Sequence, residues 1–453
     1  PHDSVYSLAS ANLPSGEVIT VATGTESVVL FTKDNGLTWS MLAGAGLELE
    51  TPWEITYHSG LPATGGSGLF LIGTERGIWT WDPVADVVAT LHTGLGVSDR
   101  HILDLESPLP GANGPVIALT VQGGVYLLSA SNMTWQTVLN TGPVYARRGA
   151  VALTPNYDAA SGAARKRDLY VTASGKLWMS RNGGANWTLH PSFNTTANSI
   201  NDWMIAVIAL SSDYATDGIA MLGRVRFDTA AASDHGEILR SGNGGTSFTQ
   251  VRQLGSGIQS LICTPPGPTG VRSWMAAARA YPGTGSYAGT GVLVSSDTGF
   301  TWSDFGNDQD FLLEDNPGKL SGYEPLNFEQ QLIAVADYGT RGAVMYGRQE
   351  GLFLSADEGR HWVQVQMRVE REFRDLDTSW TSDGYRAVFG AGYGVGTMLH
   401  VPLLNYVNEL QIEPQMIYQR RLDVSPNFVQ DGNVIAAGNV TLWCWQSDRV
   451  PNA

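Results

Sequence analysis

An eight-residue pattern that returns five times along 453 residues constrains this chain more than any other feature. The pattern reads Ser/Thr-x-Asp/Asn-x-Gly-x-x-aromatic and occupies residues 32–39, 180–187, 241–248, 295–302 and 355–362. Its shared positions are Thr32, Asp34, Gly36 and Trp39 in the first copy, and Ser180, Asn182, Gly184 and Trp187 in the second. Ser241, Asn243, Gly245 and Phe248 follow, then Ser295, Asp297, Gly299 and Trp302, and finally Ser355, Asp357, Gly359 and Trp362. Self-similarity at fixed internal spacing is the signature of a repeat architecture, in which each unit buries its apolar face against its neighbours. A shortened copy runs from Ser129 to Trp135, and a site around Trp79 and Trp81 keeps only the aromatics.

The residue types say what each copy does. A short side chain with an acceptor oxygen can bond the backbone N–H groups of its own turn. The glycine two positions later supplies positive φ without a Cβ clash, and the aromatic then covers the turn and buries a large area. Each copy therefore reads as a staple between two strands of a hairpin. The acidic members read as turn formers, not as catalytic acids.

A second repeat lies upstream of the first. Asp213-Tyr214-x-x-Asp217-Gly218, Trp380-x-x-Asp383-Gly384 and Asn427-Phe428-x-x-Asp431-Gly432 share an aromatic three residues before Asp-Gly. Asp-Gly between apolar segments is a hairpin signal. Here the flanks are Ala206–Leu210 and Ile219–Leu222. The two repeats together define a unit of roughly 50 residues with four short strands. Units fall at about 1–48, 49–96, 97–142, 143–194, 195–255, 256–325, 326–369 and 370–412, and 413–453 reads as a ninth that stops after its third strand.

The pattern resembles the Asp-box (BNR) repeat of sialidases, sortilin-type receptors, xyloglucan-cleaving glycosidases and a photosystem II assembly-factor family. The resemblance covers nearly the whole chain. It implies an all-β fold, a single large β-propeller of four-stranded blades over 1–412, eight in number with seven to ten as the alternatives. Residues 413–453 are expected to be a partial ninth repeat or to close the ring. The repeat speaks to architecture, because unrelated activities share it.

Several function classes find no support. The net charge of −16 argues against nucleic acid or an anionic membrane surface as partner. No apolar run reaches the roughly 20 residues that span a bilayer as a helix. A sialidase needs an arginine cluster and an early Phe/Tyr-Arg-x-Pro motif, and the first arginine is Arg76. Later arginines, Arg224 and Arg226 among them, carry no motif that marks three as a set. There is no Gly-x-Ser-x-Gly elbow and no His-x-x-x-His pair. Cys263 and Cys444 are the only cysteines, expected as two free buried thiols with a single bridge as the alternative. No cofactor is expected. Clustered acceptors such as Asp213 and Asp217 could hold calcium, although no loop has alternating acidic ligands.

Longer insertions interrupt the repeat at 156–168, 226–236, 264–289 and 304–328. Long loops on a rigid scaffold are where function usually sits. The last holds Asp304, Asp308, Asp310, Glu314 and Asp315, the candidate contact residues. Asn132, Asn186, Asn194 and Asn439 stand in glycosylation sequons. Low Cys, low Lys and a first residue other than Met lean towards an extracytoplasmic location. The expected function is non-catalytic: binding a protein or glycan partner, or self-assembly, through the loop faces. The competing expectation is a glycoside hydrolase, which needs two carboxylates facing one sugar ring.

Overall fold

The computed structural model describes residues 5–13, 15, 17–24, 28–33, 40–63, 66–108, 114–145, 148–199, 201–228, 233–255, 257–278, 291–305, 331–334, 342, 344–348, 351–355, 357–360, 362–366, 373–380, 386–392, 396–400, 419–424, 433–438 and 442–446. These residues form nine antiparallel sheets, each drawn from one consecutive stretch of chain and ordered as a simple meander. Sheets 1 to 7 span residues 5–41, 52–90, 102–140, 149–189, 204–254, 258–305 and 331–366, with four strands each. Sheets 8 (373–400) and 9 (419–446) have three strands each among the described residues; the fourth strand expected for the eighth unit would follow residue 400 and falls outside them.

The first strand of each sheet lies beside the first strand of the next, from sheet 1 through sheet 8. The first strand of sheet 8 (Phe373–Trp380) then lies beside that of sheet 1 (Val5–Asn12), so the succession returns on itself. Sheet 9 meets the last described strand of sheet 8 (Gly396–His400) through its own first strand (Gln419–Val424). Sheets arranged radially with their first strands innermost make a β-propeller.

The apolar core sits between sheets. One cluster joins Ile19 and Val21 of sheet 1 to Phe70, Ile72 and Trp81 of sheet 2. The next joins Leu71 and Ile78 of sheet 2 to Ala118 and Trp135 of sheet 3. Similar clusters join sheets 3 to 4, 4 to 5, 5 to 6 and 6 to 7. A second strand is therefore covered on both faces, which explains why Leu69–Thr74 and Leu169–Ala173 are buried throughout and read as continuous apolar runs instead of alternating.

Two motifs form structures that differ from their sequence reading. Asp213 to Gly218 does join antiparallel strands, Met204–Leu210 and Ala220–Asp228. The junction is one helical turn, Tyr214–Asp217, ended by Gly218 in the left-handed region at φ 64°. The tight hairpin expected from Asp-Gly gives way because Tyr214 is wholly buried and needs the extra turn to reach the core. Trp79 and Trp81 lie within the third strand of sheet 2 (Gly77–Asp82), ahead of its turn, so they are not worn copies of the closing aromatic.

In a meander, strands 1 and 3 run one way and strands 2 and 4 the other. The 1–2 and 3–4 connections thus gather at one end of the ring, and the 2–3 and 4–1 connections at the opposite end. The repeated octapeptide makes the 3–4 connections and the Asp-Gly repeat the 1–2 connections.

Candidate functional site

At the octapeptide end the turns share one geometry. In sheet 4, Gly184 N–H donates to Ser180 Oγ (2.8 Å), Ser180 Oγ donates to Asn182 Oδ1 (3.0 Å), and Asn186 N–H donates to that same oxygen (2.9 Å). Ser241, Asn243 and Gly245 repeat this, with Gly245 N–H on Ser241 Oγ at 2.8 Å and Ser247 N–H on Asn243 Oδ1 at 3.0 Å. Asp297 accepts from Phe300 N–H (3.0 Å) and Thr301 N–H (2.9 Å), and Asp357 accepts from Arg360 N–H (3.1 Å). Gly299 and Gly359 N–H donate to Ser295 and Ser355. Trp187, Phe248, Trp302 and Trp362 each immediately precede the fourth strand of their sheet. The Trp302 and Trp362 indole N–H groups donate to the carbonyls of Gly299 and Gly359. In the first copy Thr32 ends a strand and is buried, whereas Asp34, Gly36 and Trp39 lie outside the described residues.

The turn glycines serve the ring as well as the turn. Gly184, Gly245, Gly299 and Gly359 all have φ between 75° and 89°. A Cβ on Gly184 would stand 2.4 Å from Leu127 of sheet 3. On Gly245 it would meet Tyr170 of sheet 4 at 2.8 Å, and on Gly299 it would overlap Met221 of sheet 5. Each turn therefore presses its backbone onto the preceding blade.

Between sheets 4 and 5 the seam is polar. Asp168 is fully buried; its Oδ2 accepts from Arg181 Nη1 and from Tyr214 Oη (2.7 Å). Tyr170 and Tyr214 hydroxyls bond each other, and Arg181 Nη1 reaches both at 3.0 Å. Arg181 Nη2 also donates to Gly244 O in the next turn. Burial pushes the Tyr214 and Tyr170 hydroxyls up. For Arg181, burial opposes the charge, yet Tyr170, Tyr214 and Asp168 raise its pKa further. Asp168 Oδ1 is buried without a hydrogen-bond partner. One blade on, Arg240 Nε donates to Thr298 O at 2.6 Å and its guanidinium lies 3.8 Å from the Phe300 ring centre. Sequence reasoning missed this seam because its members lie on separate blades. The only signal was an arginine beside the turn acceptor at 181.

The inner strands hold two more groups that no motif marked. Asp104 Oδ1 accepts Leu105 N–H at 2.8 Å and its Oδ2 accepts Val151 N–H from sheet 4 at 2.7 Å. Two residues along, burial and then the Asp104 charge push the Glu106 carboxyl well above its ordinary value. Ser7 plays the Asp104 part between sheets 1 and 2, accepting Ile55 N–H at 3.4 Å.

The Asp213 and Asp217 carboxylates are already engaged. Asp213 pairs with Arg272; Asp217 accepts from Ser211 Oγ (2.6 Å) and Ile219 N–H (2.8 Å). Cys263 is a free thiol, half-buried, and the Cys444 side chain lies outside the described residues.

The insertions divide between the two ends. Residues 156–168 fall in the 1–2 connection of sheet 4, at the octapeptide end. Residues 226–228 and 233–236 extend the sheet 5 ladder beyond its loop reading, with Arg226 opposite His235. Segment 264–289 is not one loop: it includes a full strand, Arg272–Ala278, before the 2–3 connection at 279–290. Asp304 lies in the fourth strand of sheet 6, Ser303–Phe305. Asp308, Asp310, Glu314 and Asp315 belong to the 4–1 connection at 306–330, outside the described residues. Asn132, Asn186 and Asn194 are exposed, and Asn439 lies outside the described residues. Among the described residues no helix is long and apolar enough to cross a membrane.

The fold and its radial seams define a β-propeller protein. No family model and no curated protein matches the chain. Among solved structures it is similar to Sqt1 from Chaetomium thermophilum, at TM-score 0.56 and 13% identity, over 88% of this chain and 97% of that one. It is likewise similar to Sqt1 of Saccharomyces cerevisiae, at TM-score 0.55 and 10% identity, over 89% and 96%. At such identities the likeness is one of fold.

Proposed function

We propose that this chain is a non-catalytic, extracytoplasmic binding or assembly protein that holds a protein partner through one end of an Asp-box propeller. The observation that carries this reading is the unequal division of connections between the ends. At the octapeptide end, turn backbones are consumed by blade-to-blade contacts, as at Gly184, Gly245 and Gly299. At the opposite end stand the extended hairpin of sheet 5 and, on the neighbouring blade, the ends of the strands that flank residues 279–290 and 306–330. Loops on a rigid ring supply a broad contact surface at no cost to the core. The reading takes the ring as eight blades over 1–412, supported by the adjacency of sheets 8 and 1, with 413–453 a partial ninth repeat. Asn132 and Asn194 are its glycan acceptors, supported by their exposure.

Deleting residues 306–318 tests it. The expected result is unchanged thermal unfolding together with loss of whatever protein copurifies with the intact chain. Retention of that partner would refute the assignment. A second reading, a glycoside hydrolase, is favoured by the placement of two carboxylates, Asp104 and Glu106, two residues apart on one face of an inner strand, where burial and the Asp104 charge raise the Glu106 carboxyl as a general acid requires. Turnover of any member of a panel of sialosides and β-glucans that vanishes in Glu106→Gln would establish that reading and end the first.

A further inference from the structure

The end of the ring that carries the extended sheet 5 hairpin also carries an unbalanced pair of arginines. Arg224 and Arg226 lie two residues apart on the strand Ala220–Asp228, so both project from the same face. Trp203 stands at the head of the innermost strand, Met204–Leu210, and both guanidiniums pack on its ring. The Arg224 guanidinium carbon is 4.7 Å from the Trp203 ring centre, and that of Arg226 is 5.1 Å away. Arg224 also lies 5.6 Å from the ring centre of Phe193.

Only one of the two charges is balanced among the described residues. Arg224 Nη1 donates to Glu237 Oε2 at 3.0 Å, and both side chains are largely buried, at 20% and 12% exposure. Arg226 forms no ion pair among the described residues, and its Nε is buried without a hydrogen-bond partner. That nitrogen is shut off from solvent, so an arriving carboxylate would meet the two terminal amino groups of the fork. Stacking on the indole fixes the plane of the guanidinium, and a fixed fork of N–H donors matches a planar carboxylate bidentately. The charge of −16 on the whole chain does not forbid this, because beyond about 8–10 Å exposed charges are largely screened at physiological salt.

We infer that Arg226, with Arg224 and Trp203, forms a carboxylate-binding site that takes an acidic residue of a protein partner. The inference rests on the proposed binding function and names the chemistry that this end of the ring recognises. Arg226 supplies the bidentate contact. Arg224, already held by Glu237 and backed by the buried Phe193 ring, adds charge and orientation, and the half-buried Trp203 ring flanks the chain that bears the carboxylate.

The test uses the full chain with two synthetic hexapeptides of glycine with one central aspartate or one central asparagine, both capped at each end. Binding is read by tryptophan fluorescence and titration calorimetry at low and physiological salt. The aspartate peptide is expected to bind, and the asparagine peptide to bind at least about ten-fold more weakly. Arg226→Gln should bring the aspartate peptide down to the asparagine level, while Arg226→Lys restores only part, because it keeps the charge and loses the fork. Equal binding of the two peptides, no binding of either, or an unaffected Arg226→Gln with native circular dichroism overturns the site. Glucuronate binding where the aspartate peptide does not overturns the protein source. If Arg226→Gln still copurifies the partner of the intact chain at full yield, the site fails while the binding function stands.

Discussion

Replacing Ser295 by alanine should destabilise the propeller more than replacing Asp297, although the acidic residue makes more hydrogen bonds. Ser295 is 1% exposed, and its Oγ accepts the buried Gly299 N–H at 2.9 Å while donating to Asp297 Oδ1 at 2.7 Å. Without that oxygen the Gly299 N–H is left unpaired where water cannot reach it, which costs about 1–3 kcal/mol. Asp297 is exposed, and the N–H groups it caps, those of Phe300 and Thr301, are exposed as well. Water can replace its oxygens there, so Asp297→Ala should cost only about 0.5–1 kcal/mol. Urea unfolding at neutral pH, with equal m-values, measures both. The two variants also differ in acid. Burial works against the Asp297 charge, but hydrogen bonds from Thr301, Ser295 and Phe300 hold its pKa below the ordinary 3.8. A lowered folded-state pKa contributes stability that is present above pH 3.8 and is lost as pH falls through the folded value. The deficit of Asp297→Ala should therefore shrink towards pH 2–3, roughly, while that of Ser295→Ala persists. A larger cost for Asp297→Ala at neutral pH would refute this account of the turn.

Three further outcomes follow from the same geometry. Thr298→Gly should stabilise the protein by about 1 kcal/mol, because a β-branched residue sits at φ 61° where Gly183 and Gly244 serve in sister turns; a denaturant midpoint that falls refutes it. Gly245→Ala should cost clearly more than Gly270→Ala, read in the same unfolding assay. Both glycines have φ near 75°, but only the Cβ at 245 meets an atom of a neighbouring blade, Tyr170 Oη at 2.8 Å. Glu106→Gln should stabilise the fold increasingly as pH rises. The raised folded-state pKa of Glu106 favours folding below pH 4.5, and that contribution is lost as pH rises through the folded value, with every tenfold gain in proton affinity on folding worth about 1.4 kcal/mol. A melting-temperature gain that is the same at pH 5 and pH 8, or about so, would show that the carboxyl titrates as it does in water.

Local chemistry was legible in the sequence because each turn is built from residues that are neighbours in the chain. Ser295, Asp297, Gly299 and Trp302 act within one turn, so their spacing alone announces an acceptor, a left-handed glycine and a closing aromatic. Strands were legible for a related reason: the second-strand run Ile219–Leu222 is buried throughout and so is apolar throughout. The Asp213-to-Gly218 motif shows where local reading stops, since burial of Tyr214 in another blade's seam decided in favour of a helical turn. What joins blade to blade was not legible. Asp168 meets Tyr214 across 46 positions, and Arg181 meets Gly244 across 63. Asp104 reaches Val151 from a different sheet, and Trp203 gathers Arg224 and Arg226 from the next strand. Such contacts follow from the radial packing of whole sheets, and no spacing along the chain encodes which side chains that packing will bring within a hydrogen bond.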